Sequence, residues 1–456
     1  ALPFFQEELS VAKAIGDKLR QSRALDSMGW AYSAQDDALK AMDSYRQALI
    51  FQTEKNDKRR EALTLRYMAL VDLKQKKSQD ALTALNESLL LLADDRRNEA
   101  LTREVLAEAY AQTDQQEKAL ESYQQALSTF QAIGDRSQEA KTLAGLAQVQ
   151  EAQGRLNDAL RNSGEALNLI EGLRAHAGSQ QDRTSYFATQ QDIYAFHIEL
   201  LMRLQKQDPS GGYGAQALQV SEKARARSLL ESLADAHVDV RQGVDPALLQ
   251  REHDLEQTIE GKVQRLSALF GRPAVQQQQT TLKKEIADLE AQGQQMKAEI
   301  RRMSPAYAAI TQPQPLSLQE IQESLLGPDT VLLEYALGKE HSYLWTVSPS
   351  EMKSYELPGR DVIDTMVRQV YQLLTARAAY SPGETQQQRV ARIADADHQL
   401  STACAQLSQM VLGPAKKEIA GKRLIIVADG ALQQIPFAVL NEPGETQPLV
   451  VNLELV

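Results

Sequence analysis

Two short stretches, LDSMGWAY at residues 25–32 and AMDSYRQA at residues 41–48, decide how this chain folds. Large and small residues recur in both at the three- and four-residue steps of an amphipathic helix. Ala41 and Ala48 lie seven residues apart, which places them on one helix face, where a neighbouring helix can approach closely. The two stretches therefore predict a pair of packed helices.

The same pattern returns along the first 175 residues. The alanines that open the second helix of each pair are spaced by 40, 40, 38 and 40 residues, at Ala1, Ala41, Ala81, Ala119 and Ala159. Helix pairs with one apolar face each cannot bury those faces alone, so such pairs stack. Residues 1–175 are thus predicted to form a helical solenoid, with a generic helical bundle as the alternative. Because the pattern starts at a second helix, we expect a truncated N-terminus.

The order of large, small and aromatic residues in the first pair resembles the tetratricopeptide repeat. It is carried by Leu25, Met28, Gly29, Tyr32, Ala41, Tyr45 and Ala48. The spacing near 40 residues departs from the 34 of that family. The resemblance implies a groove that binds a protein or peptide partner, lined by the first helix of each repeat. The partner-binding residues that we expect there are Tyr32, Arg66, Arg103 and Tyr110.

Two helical regions follow the repeats. Residues 176–240 are predicted to be diverged or capping helices, and the basic residues Lys223, Arg225 and Arg227 are interpreted as a solvated face. In residues 241–310, apolar residues step by four and three from Leu282 to Met303, which predicts an antiparallel coiled-coil hairpin. That hairpin is interpreted either as a spacer or docking arm or as a plain structural element.

Residues 316–456 change to an α/β pattern after a proline-rich linker at 311–315. Predicted strands cover 330–337, 341–347, 351–357 and 424–428, and predicted helices cover 362–377 and 392–412. The apolar last strand needs neighbours on both sides, so a truncated sheet would expose an aggregation-prone edge. Asp429-Gly430 after it forms either a hairpin turn or a loop at the carboxyl end of a buried strand, where α/β proteins bind ligands.

This last region resembles a CHAT domain, a caspase-like and separase-related fold. The resemblance is carried by VLLEY at 331–335, SYLW at 342–345, SYELP at 354–358, RLIIVADGAL at 423–432 and IPFA at 435–438, and by SEKARARSLL at 221–230. It implies a cysteine peptidase in which a His–Cys dyad follows the 429–437 motif. No histidine or cysteine follows Cys404, so no catalytic residue is assigned.

The predicted fold is therefore mainly α: a tetratricopeptide-type helical solenoid plus a coiled-coil hairpin, followed by an incomplete α/β caspase-like domain at 316–456. We expect the chain to act as a protein-interaction scaffold that is inactive as it stands. Two alternatives stay open for the parent protein. It is either an active cysteine endopeptidase whose repeats recruit the substrate, or a non-catalytic signalling scaffold.

Composition excludes several other functions. The formal charge of −11 supplies no basic excess for binding nucleic acid. Cys404 is the only cysteine, which fits a reducing, cytoplasmic location, and its helical context is that of a small core residue. The sequence contains no metal-binding or nucleotide-binding motif and no apolar run long enough to span a membrane. We therefore expect no cofactor, no metal site and no membrane partner.

Overall fold

The structure is a computed structural model that describes residues 1–92, 95–174, 180–235, 245–268, 276–303, 316–379 and 384–456. These residues divide into two compact units. The first unit contains residues 1–193 and 246–297, and the second contains residues 194–245 and 298–456. The predicted linker at 311–315 lies outside the described residues.

The first unit begins with a run of helices in antiparallel pairs. Their bounds are α1 Leu2–Ala14, α2 Lys18–Ala34, α3 Ala38–Glu54, α4 Lys58–Lys74, α5 Ser78–Leu91, α6 Arg96–Gln112, α7 Gln116–Ile133, α8 Arg136–Ala152 and α9 Leu156–Arg174. The first helices of the repeats are α2, α4, α6 and α8. The second helices are α3, α5, α7 and α9, and α1 precedes them as a helix of the same kind that packs against α2. The predicted solenoid is confirmed.

An aspartate marks the start of each first helix. Asp17, Asp57, Asp95 and Asp135 accept a hydrogen bond from the backbone N–H three residues later, at 3.0, 3.2, 3.2 and 3.3 Å. Each satisfies a donor that the helix itself leaves unpaired, which stabilises a helix by about 1 kcal/mol. The caps recur with the same period as the alanines, so the repeat extends to the helix boundaries.

Size complementarity holds each pair together. Four of the alanines that open the second helices are completely buried: Ala41, Ala81, Ala119 and Ala159. In the first complete pair, Gly29 on α2 lies directly against the ring of Tyr45 on α3. In the next pair Ala69 and Leu85 share one core cluster. A larger residue on one helix is thus matched by a smaller one on the other.

The predicted hairpin consists of α12 Pro246–Ala268 and α13 Gln276–Met303. Leu255 lies beside Gly293, and the Lys262 ammonium is 2.6 Å from the Glu285 carboxylate. As the residue number rises on one helix it falls on the other, so the two helices run antiparallel, as predicted. The connection between them lies outside the described residues.

The second unit is built around a four-stranded sheet. Its strands are β1 Thr330–Ala336, β2 His341–Val347, β3 Met352–Pro358 and β4 Arg423–Val427, in the order β3-β2-β1-β4. The first three form the predicted antiparallel meander, and β4 joins β1 in parallel. The long helices that belong wholly or partly to this unit are the end of α13 and α10 Gln180–Gln207, α11 Tyr213–Asp235, α14 Arg360–Thr375 and α15 Gln386–Val411.

The two faces of the sheet are covered by different helices. Side chains alternate between faces along a strand, and Leu333, Tyr335 and Leu344 pack in one cluster with residues of α14 and α15. Glu334 and Trp345 are paired across β1 and β2 and lie on the opposite face. That face contacts α10 through Glu199 and α11 through Arg225. The sheet is therefore covered by helices on both sides.

The outer edge of β4 is also paired. The Leu424 N–H donates to the Glu454 carbonyl and the Val456 N–H donates to the Leu424 carbonyl, both at 2.8 Å, and the Ile426 N–H donates to the Val456 carbonyl at 3.0 Å. Residues 454–456 thus run alongside β4 in parallel. The prediction that this strand has an open edge is therefore wrong where residues 454–456 pair with it.

Candidate functional site

The first helices form the inner side of the repeat stack. They approach each other between successive repeats more closely than the second helices do. A stack of helix pairs then curves with its first helices inside, which creates the concave surface typical of solenoids. Any partner held by this curvature contacts the solvent-exposed face of these helices.

One row of residues lies along the middle of that face. We call Trp30, Leu70, Glu108 and Gln148 the inner row; all four are exposed. They follow one another at intervals of 40, 38 and 40 residues, one from each first helix. Trp30 is 59% exposed and Leu70 is 36% exposed. Two large apolar side chains are thus presented side by side at successive repeats.

Beneath the inner row, buried threonines connect neighbouring first helices. Thr64 donates to the Asp26 carboxylate at 2.8 Å, and Thr142 donates to the Glu104 carboxylate at 3.4 Å. At the repeat between them, the Arg66 guanidinium donates to Thr102 at 3.5 Å. All three threonines are completely buried. Their partners alternate in charge along the stack, since Asp26 is acidic, Arg66 is basic and Glu104 is acidic.

Burial changes the titration of the two acids. It raises the pKa of Asp26 to about 6, against the opposing effect of the Thr64 hydrogen bond and the positive charge of Arg60. It raises the pKa of Glu104 to about 7, against the charge of Lys141 and the hydrogen bond from Thr142. Loss of water also raises the pKa of Glu108, although that residue lies on the exposed inner row. These carboxyls are incompletely stabilised as anions by the repeats themselves.

The four partner-binding residues expected from the sequence lie elsewhere on the first helices. Arg66 is only 7% exposed and donates to the Asn98 carbonyl of the next first helix at 3.2 Å. Arg103 binds Glu99 at 2.6 Å on its own helix and Gln125 at 2.7 Å on α7. Their guanidinium groups are engaged within the repeats.

The two tyrosines of that set occupy equivalent positions near the second helices. Tyr32 and Tyr110 are half-buried. The ammonium groups of Lys40 and Lys118 lie 5.5 and 5.4 Å above their respective ring centres. The structure therefore brings none of the four residues into the inner row. Their role in partner binding stays a prediction.

The inner row can be recognised in the sequence by position, although not by residue type. Each member directly follows the small residue of a first helix, as Trp30 follows Gly29 and Leu70 follows Ala69. The helix places adjacent residues about 100° apart, so the residue after a buried small one faces outward. Taking the residue after the small one in each first helix, at intervals of about 40, therefore identifies the inner row.

In the second unit, a buried charge cluster lies between α11 and the sheet. Glu334 on β1 is completely buried and lies between Trp345 on β2 and Val427 on β4. The Arg225 guanidinium donates to its carboxylate at 3.2 Å. Burial and the charge of Glu222 raise the pKa of Glu334, and Arg225 opposes this. The interpretation of Arg225 as part of a solvated face is therefore wrong.

Arg225 also binds the carboxyl ends of two parallel strands. Its guanidinium donates to the Tyr335 carbonyl at 3.1 Å and to the Ala428 carbonyl at 3.0 Å. Next to them, the Asp429 carboxylate accepts the Leu337 N–H at 2.7 Å. The chain then continues into a short helical turn at Gly430–Gln434. Asp429-Gly430 thus forms a loop at the carboxyl end of β4, not a hairpin turn.

A second polar contact connects α10 to the same face of the sheet. Glu199 accepts a hydrogen bond from the Tyr343 hydroxyl at 2.8 Å and lies 3.1 Å from a ring nitrogen of His341. The other ring nitrogen of His341 lies 3.8 Å from Glu356 on β3. His341 is therefore part of the contact between helix and sheet.

Cys404 lies in the core of the second unit, away from any polar cluster of the described residues. Cys404 is 3% exposed within the core on the α15 side of the sheet, and burial raises the pKa of its thiol. Among the residues that the structure describes, no three acidic, histidine or cysteine side chains group as a metal site. None of the described helices combines the length and apolar character needed to cross a membrane.

Comparison with known proteins bears on both parts of the chain. Residues 401–456 match the CHAT domain family. A comparison with curated proteins found no relative. Among solved structures, BtubC of P. vanneervenii is 19% identical, with 48% of this chain and 89% of that chain covered and a TM-score of 0.39.

Two further solved structures are similar to part of the chain. Aspartyl phosphate phosphatase F from Bacillus subtilis is 13% identical, covering 63% of this chain and 74% of that one, with a TM-score of 0.38. A signal transduction ATPase with a tetratricopeptide repeat sensor from Pyrococcus horikoshii is 17% identical. The similarity covers 51% of this chain and 40% of that one, with a TM-score of 0.35. The chain combines the helical repeats described above with a CHAT match at residues 401–456.

Proposed function

We propose that this chain is a protein-interaction scaffold that holds a peptide segment of a partner on the inner side of its repeats. The observation that carries the proposal is the alignment of Trp30 and Leu70 at the same position of successive repeats, where both are exposed. Burial of such side chains contributes about 25 cal/mol per Å² of apolar surface. Aromatic residues in concave surfaces are also favoured as binding hot spots.

The curvature of the stack supports the same proposal. A peptide that lies along the inner side contacts several first helices at once, so modest contacts at each repeat add together. The half-buried Tyr32 and Tyr110 border this side. They and the two arginines of the sequence-based set would act at its margin or by holding neighbouring first helices in place.

The test is selection of binding peptides from a random library against the whole chain. We expect the selected peptides to lose binding when Leu70 is replaced by aspartate and to keep it when Leu90 is replaced in the same way. Leu90 is a matched control because it is 83% exposed on α5, a second helix. Equal loss in both variants, or selection of no peptide, would contradict the proposal.

A second candidate function concerns the CHAT match. We propose that a longer protein containing this chain uses the repeats to recruit substrates to a caspase-like cysteine peptidase. The match at residues 401–456 favours it, as does the parallel pairing of residues 454–456 with β4, which extends the sheet beyond four strands. The non-catalytic scaffold remains the competing proposal for that longer protein.

The second candidate is tested with an electrophilic peptide probe that modifies activated thiols. The full reading frame should be labelled at a cysteine beyond residue 456, and replacement of that cysteine by alanine should abolish labelling. A full-length protein that stays unlabelled in the presence of its partner would favour the non-catalytic scaffold.

A further inference from the structure

The inner side of the repeats changes its chemistry along the stack. The first two complete repeats present Trp30 and Leu70, whereas the third presents the exposed Glu108. The half-buried Glu104 lies one turn earlier on α6 and accepts a hydrogen bond from Thr142 at 3.4 Å. We propose that this surface takes an extended peptide segment with an apolar side chain for Trp30 and Leu70 and a lysine or arginine for Glu104 and Glu108. This inference rests on the proposed scaffold function and specifies the partner.

The charge around the two glutamates supports a cationic ligand. Among the described residues, no basic nitrogen comes within 4.0 Å of either carboxylate, although other glutamates of the repeats form ion pairs, as Glu99 does with Arg103. The charged and titratable groups that face Glu104 are Lys141, Glu108 and Asp135, and the Tyr123 hydroxyl faces both glutamates. Asp135 is paired with Arg97 at 2.9 Å, so the two glutamates against Lys141 leave a local negative excess.

Burial adds to the effect of this excess. The pKa of Glu104 is raised to about 7 and that of Glu108 is also raised, in both cases chiefly by loss of water. A carboxylate that has lost water without gaining a cation is stabilised strongly when a ligand supplies one. An acidic peptide would add repulsion at the same place. Charge complementarity therefore selects a basic residue here.

Repeat geometry fixes the spacing of the two anchors in the ligand. Packed helices lie about 9 Å apart, so the two repeat steps from Trp30 to Glu108 cover roughly 18 Å. An extended chain advances about 3.3 Å per residue and spans this distance in about six residues. The proposed ligand thus places its apolar residue and its basic residue about six positions apart.

The experiment measures fluorescence anisotropy with the whole chain and two labelled peptides. One peptide carries a leucine pair and an arginine pair about six residues apart, and the other has glutamates in place of the arginines. We expect the first to bind and the double variant Glu104→Gln/Glu108→Gln to weaken it about tenfold. The matched control is Glu117→Gln/Glu121→Gln, the same change on the second helix of that repeat, and it should have no effect.

The pH dependence gives an independent readout. Binding of arginine favours the ionised glutamates, so the affinity of the first peptide should rise as pH increases through the pKa of Glu104 at about 7. The glutamine variant should lack this rise. Circular dichroism confirms that each variant is folded.

The outcomes separate this inference from the scaffold function on which it rests. If the glutamate peptide binds as tightly as the arginine peptide, or the glutamine variant binds like the original chain, the basic ligand is excluded while peptide binding stands. If Trp30→Ala leaves the binding of both peptides unchanged, the inner side is not the binding surface and both proposals fail. If neither peptide binds, the spacing and chemistry proposed here are wrong.

Discussion

The guanidinium of Arg225 on α11 donates to the carboxylate of Glu334 on β1 at 3.2 Å, across 109 residues of sequence. The carboxylate is completely buried on the face of the sheet that α11 covers, where it is paired with Trp345 across β1 and β2. Taking both charges out of water is costly, and each depends on the other for compensation. The contact therefore fixes where α11 lies on the sheet.

Replacement of Arg225 by alanine is expected to destabilise the second unit by about 3–5 kcal/mol, because it leaves Glu334 buried without its cation. The double change Arg225→Met/Glu334→Leu should cost much less, since it removes both charges. Urea unfolding is followed by the fluorescence of Trp345 in a Trp30→Phe background. The control is Lys206→Ala, which removes an ion pair of 3.5 Å to Glu356. Because the Lys206 side chain is 78% exposed, this change should alter stability by less than about 1 kcal/mol.

The stability of the repeats should fall as pH rises through the titration of Glu104. Its pKa is raised from 4.5 to about 7, so the folded repeats hold a proton that the unfolded chain releases. Stability is then lost between these two values and is constant above them. Urea midpoints measured across this range should decline less for Glu104→Gln than for the original chain. Parallel pH profiles of the two proteins would contradict the assignment.

Gly29→Ala should destabilise the first complete repeat. A Cβ at Gly29 would lie 2.5 Å from the ring of Tyr45. Such overpacking costs about 1–3 kcal/mol, which exceeds the roughly 1 kcal/mol gained when alanine replaces a helical glycine. The double change Gly29→Ala/Tyr45→Leu reproduces the Ala69 and Leu85 pair of the next repeat and should restore stability. Gly172→Ala on α9 is the control, because a Cβ at this position has no neighbouring atom within 4 Å. Thermal denaturation should show that it leaves stability unchanged or raises it.

Cys404 should be inert in the folded protein. Its side chain is 3% exposed, and burial raises the pKa of the thiol, so little thiolate is available for reaction. Iodoacetamide is expected to modify it only after denaturation, as read by mass spectrometry. Saturable modification under native conditions would show that the thiol is accessible and activated.

Removal of residues 454–456 should promote association of the second unit. It frees the backbone groups of Leu424 and Ile426, which exposes the edge of an apolar strand to other chains. Light scattering during storage measures the effect. Glu454→Ala keeps the backbone pairing and serves as the control. A truncated chain that stays monodisperse would show that the edge is protected by other means.

Local periodicity made most of the fold predictable. The alanine spacing identified the helix pairs, and short runs rich in Val, Leu, Tyr and Trp between turn segments in residues 330–358 identified the meander. Both patterns involve neighbours in sequence. The Arg225 contact was not predictable, since nothing near either residue specifies a partner 109 positions away. The inner row was missed because aromatic and basic residues were chosen by type, whereas helix geometry exposes the residue after each small one.

The cover that α10 and α11 provide for the sheet has a consequence for biosynthesis. Glu199 and Arg225 emerge from the ribosome more than a hundred residues before the strands that they contact. The sides of α10 and α11 that bind the sheet therefore stay uncovered until the hairpin and the strands after it have been translated. A recombinant fragment that starts at residue 316 would lack this half of its structure and leave Trp345 without cover. The second unit is thus discontinuous in the gene, since it combines residues 194–245 with residues 298–456.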